Sequence, residues 1–124
     1  MSVNVGTLIK DLNLEVLVKG KQDNEITVSD FNRPGLQFSG FYNYFANERI
    51  QIIGMAEWSF LDAMQPEIRK KRLKKFFSFD TPCIIITRNL EPQAEILEYA
   101  SKNGRWLLRT PKTSTKFIGV LTNY

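Results

Sequence analysis

Residues 83–109 read CIIITRNLEPQAEILEYASKNGRWLLR, and this stretch decides the fold that the sequence predicts. Its first five residues include three consecutive isoleucines without polar alternation, a pattern typical of a strand that is covered on both faces. A helix follows from Pro92 and ends at Asn103-Gly104. Residues 106–109 form the next strand. The stretch therefore predicts a right-handed βαβ unit with two parallel strands.

The rest of the chain adds strands and helices around this unit. Asn4 is suited to cap a helix that presents apolar residues from Val5 to Leu12 at helical spacing, and Asn13 ends that helix. The other predicted strands are 14–18, 26–28 and 49–53, and the other predicted helices are 56–64, 66–77 and a last amphipathic face from Phe117. The strands at 14–18 and 26–28 can pair as a hairpin. We therefore expect one α/β domain over residues 1–124, three-layer-like, with a central largely parallel or mixed sheet flanked by helices.

Composition narrows the classes of function. The chain of 124 residues has no histidine, which removes the commonest general base and most zinc sites. It also lacks the G-x-x-x-x-G-K-[ST] and G-x-G-x-x-G phosphate-binding motifs, so we expect no self-contained active site, no bound cofactor and no metal. The single Cys83 lies beside the isoleucines and is expected to be a buried structural thiol. No run has the length of a membrane span and no signal peptide is recognisable, so a cytoplasmic protein is the default expectation.

A polar cluster follows the predicted strand at residues 26–28. Ser29, Asp30, Asn32 and Arg33 precede a Pro34-Gly35 breaker, and five aromatics then follow at mostly helical intervals, namely Phe38, Phe41, Tyr42, Tyr44 and Phe45. Polar residues after a strand often line a ligand cleft in α/β domains. The same residues can instead form a structural corner, with Asp30 or Ser29 capping a turn. Asp30 and Arg33 can also pair with each other across this turn. The chemistry of the residues favours the corner.

Two further polar pairs follow the predicted parallel strands. Thr87-Arg88 and Arg109-Thr110 both lie at carboxyl ends of strands, where ligands bind in open α/β sheets. Their side chains are suited to a phosphate or a carboxylate. Together with the polar cluster they define a candidate ligand site, and a small-ligand module for a nucleotide or sugar phosphate is one alternative function. The candidate ligand-binding residues are Asp30, Arg33, Thr87, Arg88, Arg109 and Thr110.

The predicted helix at 66–77 carries a basic run. Six of the seven residues from Arg69 to Lys75 are Lys or Arg, and Leu73 is the exception. A solvated helix face is the favoured interpretation, because Leu73, Phe76 and Phe77 anchor the opposite side. An acidic protein partner is the second alternative. Nucleic acid is the least favoured, because aromatic side chains are not interleaved with the basic ones as stacking platforms.

Several segments, in the same order along the whole chain, resemble the amino-terminal domain of bacterial HPr kinase/phosphorylase. They are ITVSDFNRPGLQFSGF at 26–41, ERIQIIG at 48–54, TPCIIITR at 81–88 with LEP at 90–92, LRTP at 108–111 with ST at 114–115, and LT at 121–122. The resemblance implies an enzyme that phosphorylates a serine of the phosphocarrier HPr with ATP or pyrophosphate, and that removes this phosphate by phosphorolysis. It implies a role in carbon catabolite control, a hexameric assembly and a need for magnesium.

The same resemblance implies that catalysis belongs to a carboxy-terminal P-loop domain that is not in this sequence. The chain is then expected to be a regulatory or assembly domain that is inactive alone, and its last helical face, still repeating at Tyr124, suggests a domain that continues into another. The amino-terminal domain also looks like the first domain of the Mur ligases, which holds a uridine nucleotide near an Asp-Ser-Arg…Pro-Gly pattern. The equivalents here are Asp30, Arg33, Pro34 and Gly35, with Phe31-Asn32 between the first two.

Overall fold

A computed structural model describes residues 2–27 and 30–124 of the chain. Val28 and Ser29, which the sequence analysis placed at a strand end and in the polar cluster, lie outside the described residues. None of the described helices is both long and apolar enough to span a membrane. The elements in chain order are β1 Ser2–Asn4, α1 Val5–Leu12, β2 Glu15–Val18, β3 Glu25–Thr27, β4 Phe31–Asn32, α2 Gly35–Phe38, β5 Ile50–Ile53, α3 Met55–Asp62, α4 Pro66–Ser78, β6 Ile84–Ile86, α5 Ala94–Lys102, β7 Leu107–Arg109 and α6 Ser114–Thr122.

The main sheet places the triple-isoleucine strand at its centre. Its strand order is β2-β7-β6-β5-β4, and every neighbouring pair is parallel except β2 with β7. The register aligns Ile52, Ile85 and Leu108 across three adjacent strands. The parallel βαβ unit and the largely parallel, mixed sheet that the sequence predicted are both confirmed.

The predicted hairpin between the strands at 14–18 and 26–28 is wrong. β2 is the edge strand of the main sheet and pairs with β7, whereas β3 pairs with β1 in a separate two-stranded sheet. The reason lies in the turn that follows β2, because this turn packs on Trp106, the residue before β7. Gly20 packs so closely on the Trp106 indole that a Cβ there would lie 2.3 Å from the ring, and the Trp106 indole N–H donates to the Gln22 carbonyl at 2.6 Å. These contacts direct the residues after β2 toward Trp106, so β3 does not return alongside β2.

Helices cover both faces of the sheet, as predicted. Ile85 points into a core formed with α1 and α6, which contribute Leu8 and Phe117. Ile84 and Ile86 point the other way, into a core that α4 and α5 complete. All three isoleucines are fully buried, so the absence of polar alternation in this strand has a direct structural cause. Cys83 is also fully buried, and burial raises the pKa of its thiol to about 12.

Most helix ends follow the sequence signals. The Asn4 side chain accepts from the Thr7 amide at 2.8 Å, and Asn13 ends α1 in the left-handed conformation with φ 53°. Pro66 is the first residue of α4, as predicted. The helix expected from Pro92 begins two residues later, at Ala94.

The aromatic segment after Pro34 is not a continuous helix. Helix α2 ends at Phe38, and Gly40 then adopts φ +100°, a left-handed conformation that turns the chain out of the helix. Of the aromatics that follow, Tyr42 stacks on Phe79 at 4.9 Å between ring centroids and Phe45 lies 5.8 Å from Phe76 of α4. Phe41 and Tyr44 are exposed, so their spacing reflects neither a helix nor packing.

The core position of β6 leads to a stability prediction. Ile85→Ala leaves a cavity between three strands and two helices, and we expect a loss of about 2–5 kcal/mol in the free energy of unfolding. Ile85→Val is the matched control, with an expected loss of about 0.5–1.5 kcal/mol. Urea denaturation followed by tryptophan fluorescence measures both. Equal losses for the two variants would contradict a tightly packed centre at this residue.

Candidate functional site

The carboxyl edge of the sheet gathers polar residues from four parallel strands. Arg33, Gly54, Thr87 and Thr110 directly follow β4, β5, β6 and β7 in that order. Two helices also begin at this edge, α3 after Gly54 and α6 at Ser114. Helix amino termini carry a partial positive charge and unpaired N–H groups, so this edge has the general character of an anion site.

The chain itself supplies the anion. One oxygen of the Glu57 carboxylate, Oε1, accepts from the Gly54 amide at 2.7 Å and from the Arg33 guanidinium at 3.1 Å. Glu57 is the third residue of α3, so its carboxylate reaches back to the amino terminus of its own helix. The Glu57 side chain is 8% exposed and that of Arg33 is 40% exposed. An external anion would therefore have to displace a buried carboxylate to reach both donors.

A second buried contact, between Thr87 and Ser114, fills the part of the sheet edge next to Glu57. The hydroxyls of Thr87 and Ser114 lie 2.8 Å apart and are buried. The Thr87 hydroxyl also lies 3.3 Å from the Ile53 carbonyl, and either of the two hydroxyls can be the donor in the Thr87–Ser114 hydrogen bond. A Cβ on Gly54 would lie 2.3 Å from the Ser114 hydroxyl oxygen and 2.5 Å from an Arg33 nitrogen. Only a glycine thus lets α3, α6 and Arg33 meet this closely.

The six candidate residues do not all meet at this edge. Arg33, Thr87 and Thr110 follow adjacent or nearby strands, and the Thr110 hydroxyl accepts from the Lys112 amide at 3.3 Å. Arg88 is exposed in a left-handed turn with φ 58°, and its amide donates to the Lys112 carbonyl. Asp30 precedes β4, so it lies toward the amino-terminal end of that strand, and Arg33 pairs with Glu57. The corner pair between Asp30 and Arg33 that the sequence suggested is replaced by this longer-range pair.

Arg109, the last residue of β7, does not join the contacts that Arg33 and Thr87 make at the sheet edge. It donates to both carboxylate oxygens of Glu15, at 2.9 and 3.1 Å, and to Glu91 at 3.4 Å. The hydrogen bond from Arg109 holds the pKa of Glu15 below its usual value, and the same bond raises the pKa of Arg109. Glu15 and Arg109 are also cross-strand partners in β2 and β7. Arg109 thus attaches the antiparallel edge strand to the parallel sheet.

Glu57, Gly54 and Ser114 were not singled out as site residues from the sequence. A partial signal existed, because a glycine that ends a strand and a glutamate three residues later match half of a helix capping box. Nothing in the sequence indicated that Arg33, twenty-four residues earlier, would share that carboxylate. Within residues 2–27 and 30–124, no three Cys, Asp or Glu side chains gather as metal ligands.

The basic run on α4 divides into two kinds of residue. Arg69 donates to Glu95 at 3.0 Å and to the Leu61 and Met64 carbonyls at 3.2 Å, so it joins α4 to α3 and α5. Arg72 donates to the Phe38 carbonyl at 2.9 Å and joins α4 to α2. The four lysines of the run, in contrast, are exposed. The interpretation as a solvated helix face therefore holds for the lysines and is wrong for these two arginines.

Comparison with known proteins identifies the family. The family described as HPr Serine kinase N terminus matches residues 3–124. Proteins named HPr kinase/phosphorylase are 67% identical in Clostridium kluyveri, 64% in Clostridium tetani and 56% in Clostridium acetobutylicum, each over all 124 residues of the chain. The chain spans about 40% of the length of these relatives.

A solved structure shares the fold at low sequence identity. It comprises the CBS and DRTGG domains of the regulatory region of a Clostridium perfringens pyrophosphatase, complexed with the activator diadenosine tetraphosphate. The TM-score is 0.65 with 18% identity, and the match covers 95% of this chain and 45% of the other. This likeness shows that the fold occurs outside the kinase family.

Gly54 is closely packed at the sheet edge and Gly119 is not packed, so Gly→Ala changes at the two positions should have opposite effects on stability. Gly54→Ala forces a Cβ into the Ser114 hydroxyl and Arg33, and we expect a loss of roughly 1–3 kcal/mol in the free energy of unfolding. Gly119 lies inside α6 with open space around its Cβ direction, so Gly119→Ala should stabilise by about 0.4–1 kcal/mol. Chemical denaturation of both variants is the measurement. A Gly54→Ala chain as stable as the Gly119→Ala chain would contradict the packing described here.

The Arg69–Glu95 pair predicts a pH-dependent stability. Partial burial raises the pKa of Glu95, but hydrogen bonds from Arg69 and from the Glu95 backbone, with the charges of Arg69 and Lys70, outweigh it, so the pKa lies below the usual 4.5. Because its pKa is lower in the folded state, ionised Glu95 stabilises the fold at any pH above its pKa in the unfolded chain. This stabilisation is lost as the pH falls through its pKa in the folded chain. Glu95→Gln should cost roughly 1–3 kcal/mol at pH 7, and the cost should shrink below pH 4.5.

Denaturation curves of the wild type and Glu95→Gln between pH 7 and acid measure this difference. Glu98→Gln is the matched control, because it removes an exposed pair with Lys102 on the same helix and should cost less. A Glu95→Gln penalty that stays constant down to acid pH would show that the charge of Glu95 is not what stabilises the contact.

Proposed function

The chain belongs to the HPr serine kinase N-terminal family, and from this membership we propose that it is the non-catalytic regulatory or assembly domain of an HPr kinase/phosphorylase. In this proposal the parent enzyme transfers phosphate from ATP or pyrophosphate to a serine of HPr and removes it by phosphorolysis. The cofactors of that chemistry, a nucleotide or pyrophosphate with magnesium, bind elsewhere in the parent enzyme. The parent protein is cytoplasmic and assembles as a hexamer.

One observation carries the proposal. The family match extends over residues 3–124, yet those residues correspond to about 40% of each relative. The sequence contains no phosphate-cradling G-x-x-x-x-G-K-[ST] motif and no histidine. Phosphoryl transfer depends on positioning a nucleotide phosphate and its metal, which such a loop provides in P-loop enzymes. A chain without it is suited to support a catalytic domain rather than to act as one.

The geometry of the sheet edge supports a structural role over a catalytic one. The donors that could hold a phosphate, the Gly54 amide and the Arg33 guanidinium, are both bound to Glu57. The Arg109 guanidinium is bound to Glu15 and Glu91. These internal ion pairs fix strands and helices to one another, as a domain that holds other subunits or domains in place requires. The small-ligand site predicted at Asp30, Arg33, Thr87, Arg88, Arg109 and Thr110 stays a prediction. Its ligand would compete with Glu57 for Arg33 and with Glu15 and Glu91 for Arg109.

Phosphate transfer and assembly test the proposal separately. Incubated with HPr, magnesium and ATP or pyrophosphate, this chain should transfer no phosphate above background, whereas the Clostridium kluyveri HPr kinase/phosphorylase serves as the positive control. Deleting the matching region from that relative should lower the number of subunits per particle, obtained by dividing the light-scattering molar mass by the mass of one shortened subunit. Replacing the region with this chain should restore the subunit number, because the two are 67% identical.

Two results would overturn the proposal. Clear phosphorylation of HPr by this chain alone would show that it is catalytic. An unchanged number of subunits per particle after deletion of the amino-terminal region, together with unchanged kinase and phosphorylase rates, would exclude both an assembly and a regulatory role.

A further inference from the structure

A second surface lies away from the sheet edge, between the end of α2 and the outer face of α4. It is an open groove of about 620 Å³, which we call the lysine groove. Its lining residues are Ser39, Gly40, Lys71, Arg72, Lys74, Lys75 and Ser78. Four of these seven residues are cationic, and none of them is acidic. Among the described residues, Lys71, Lys74 and Lys75 have no salt bridge.

The walls of the lysine groove are fixed by contacts within the domain. The Arg72 guanidinium donates to the Phe38 carbonyl at the end of α2. Gly40 has φ +100°, and a Cβ there would lie 3.3 Å from the Arg72 guanidinium, so the two sides of the groove meet closely. Lys75 lies with its ammonium 4.6 Å from the centre of the Tyr42 ring, which is itself stacked on Phe79. The groove is therefore preformed. Lys71 and Lys74 are exposed, and the exposed Lys75 also contacts the Tyr42 ring.

Unpaired cations in a concave surface attract an anionic partner. Arg69, Arg105 and Arg109 each have carboxylate partners. Other lysines, such as Lys10, Lys19 and Lys116, also lack salt bridges in the described part of the chain, but they are dispersed. The three groove lysines differ because they lie within two turns of one helix. Their mutual repulsion is relieved when a negatively charged partner binds.

The type of anion follows from which donors are free. A compact phosphate is held best by backbone N–H groups at a helix amino terminus. Here the amides of Ser39 and Gly40 are already bonded to α2 carbonyls, and the groove faces the carboxyl end of that helix. Single-stranded nucleic acid needs exposed aromatic faces for base stacking. The nearby Tyr42 ring is covered by Phe79 on one side and Lys75 on the other. Phe41 and Tyr44 are exposed, but no aromatic residue lines the groove itself.

With a compact phosphate and single-stranded nucleic acid disfavoured, the groove offers several flexible ammonium groups spaced along a helix to bind an anionic partner. Lysine ammoniums are point charges on long stems, so they match carboxylates distributed along a chain without demanding one geometry. We propose that the lysine groove docks an acidic segment of a partner protein. This inference does not depend on the proposed function, because it concerns a surface of this chain alone.

Fluorescence anisotropy of a labelled oligoglutamate peptide tests the proposal on this chain. The peptide should bind at low salt and weaken as salt rises toward 0.1 M, where charges are screened over about 10 Å. The triple variant Lys71→Gln, Lys74→Gln, Lys75→Gln should bind at least about tenfold more weakly, since three ion pairs are removed. The matched control is Lys10→Gln, Lys19→Gln, Lys116→Gln. It removes the same three charges from the formal +4 at dispersed exposed lysines and should bind nearly as well as wild type.

A second measurement does not depend on variants. Amide shift changes on adding the peptide to the wild type should be confined to residues 39–42 and 70–79. Equal weakening by both triple variants, or shift changes elsewhere, would overturn the assignment of this surface. A labelled thymidine oligonucleotide or inorganic triphosphate that binds more tightly than the peptide at equal salt would overturn the choice of an acidic protein segment.

Discussion

The fold depends on burying β6 on both of its faces. Ile85 points to one side of the sheet and Ile84 and Ile86 to the other, and all three are fully buried. A strand that is apolar on both faces is stable only when each face is covered by helices. α1 and α6 cover one face, and α4 and α5 cover the other. The three layers, the parallel βαβ unit and the position of every carboxyl strand end follow from this requirement.

Once the strands are parallel, their carboxyl ends and two helix amino termini meet at the same edge. Such an edge attracts negative charge, and in many α/β proteins that charge comes from a ligand. In this chain Glu57 provides it from within, and Gly54 allows the close approach that makes this possible. The edge is therefore a structural junction between β4, β5, α3 and α6.

Arginine and lysine have separate roles on α4. The planar guanidinium groups of Arg69 and Arg72 each bridge to other elements, which suits the fixed geometry of several donors on one side chain. The exposed lysines keep their flexible stems in solvent. One basic run in the sequence thus contains both the contacts that hold α4 in place and the charges left available for a partner. Counting charges could not separate these two roles.

The sequence by itself determined the elements whose causes are local. Apolar periodicity, the Asn4 and Pro66 helix starts and the triple isoleucine predicted the central strand, α1, α4 and the largely parallel sheet. The family resemblance was also readable, because it rests on ordered segments along the chain. Only the tertiary structure decided the pairing of β2 with β7, the end of α2 at Phe38 and the partners of Arg33 and Arg109. Those outcomes depend on contacts between residues far apart in sequence, such as Trp106 on Gly20 and Glu57 on Arg33, which local patterns do not encode.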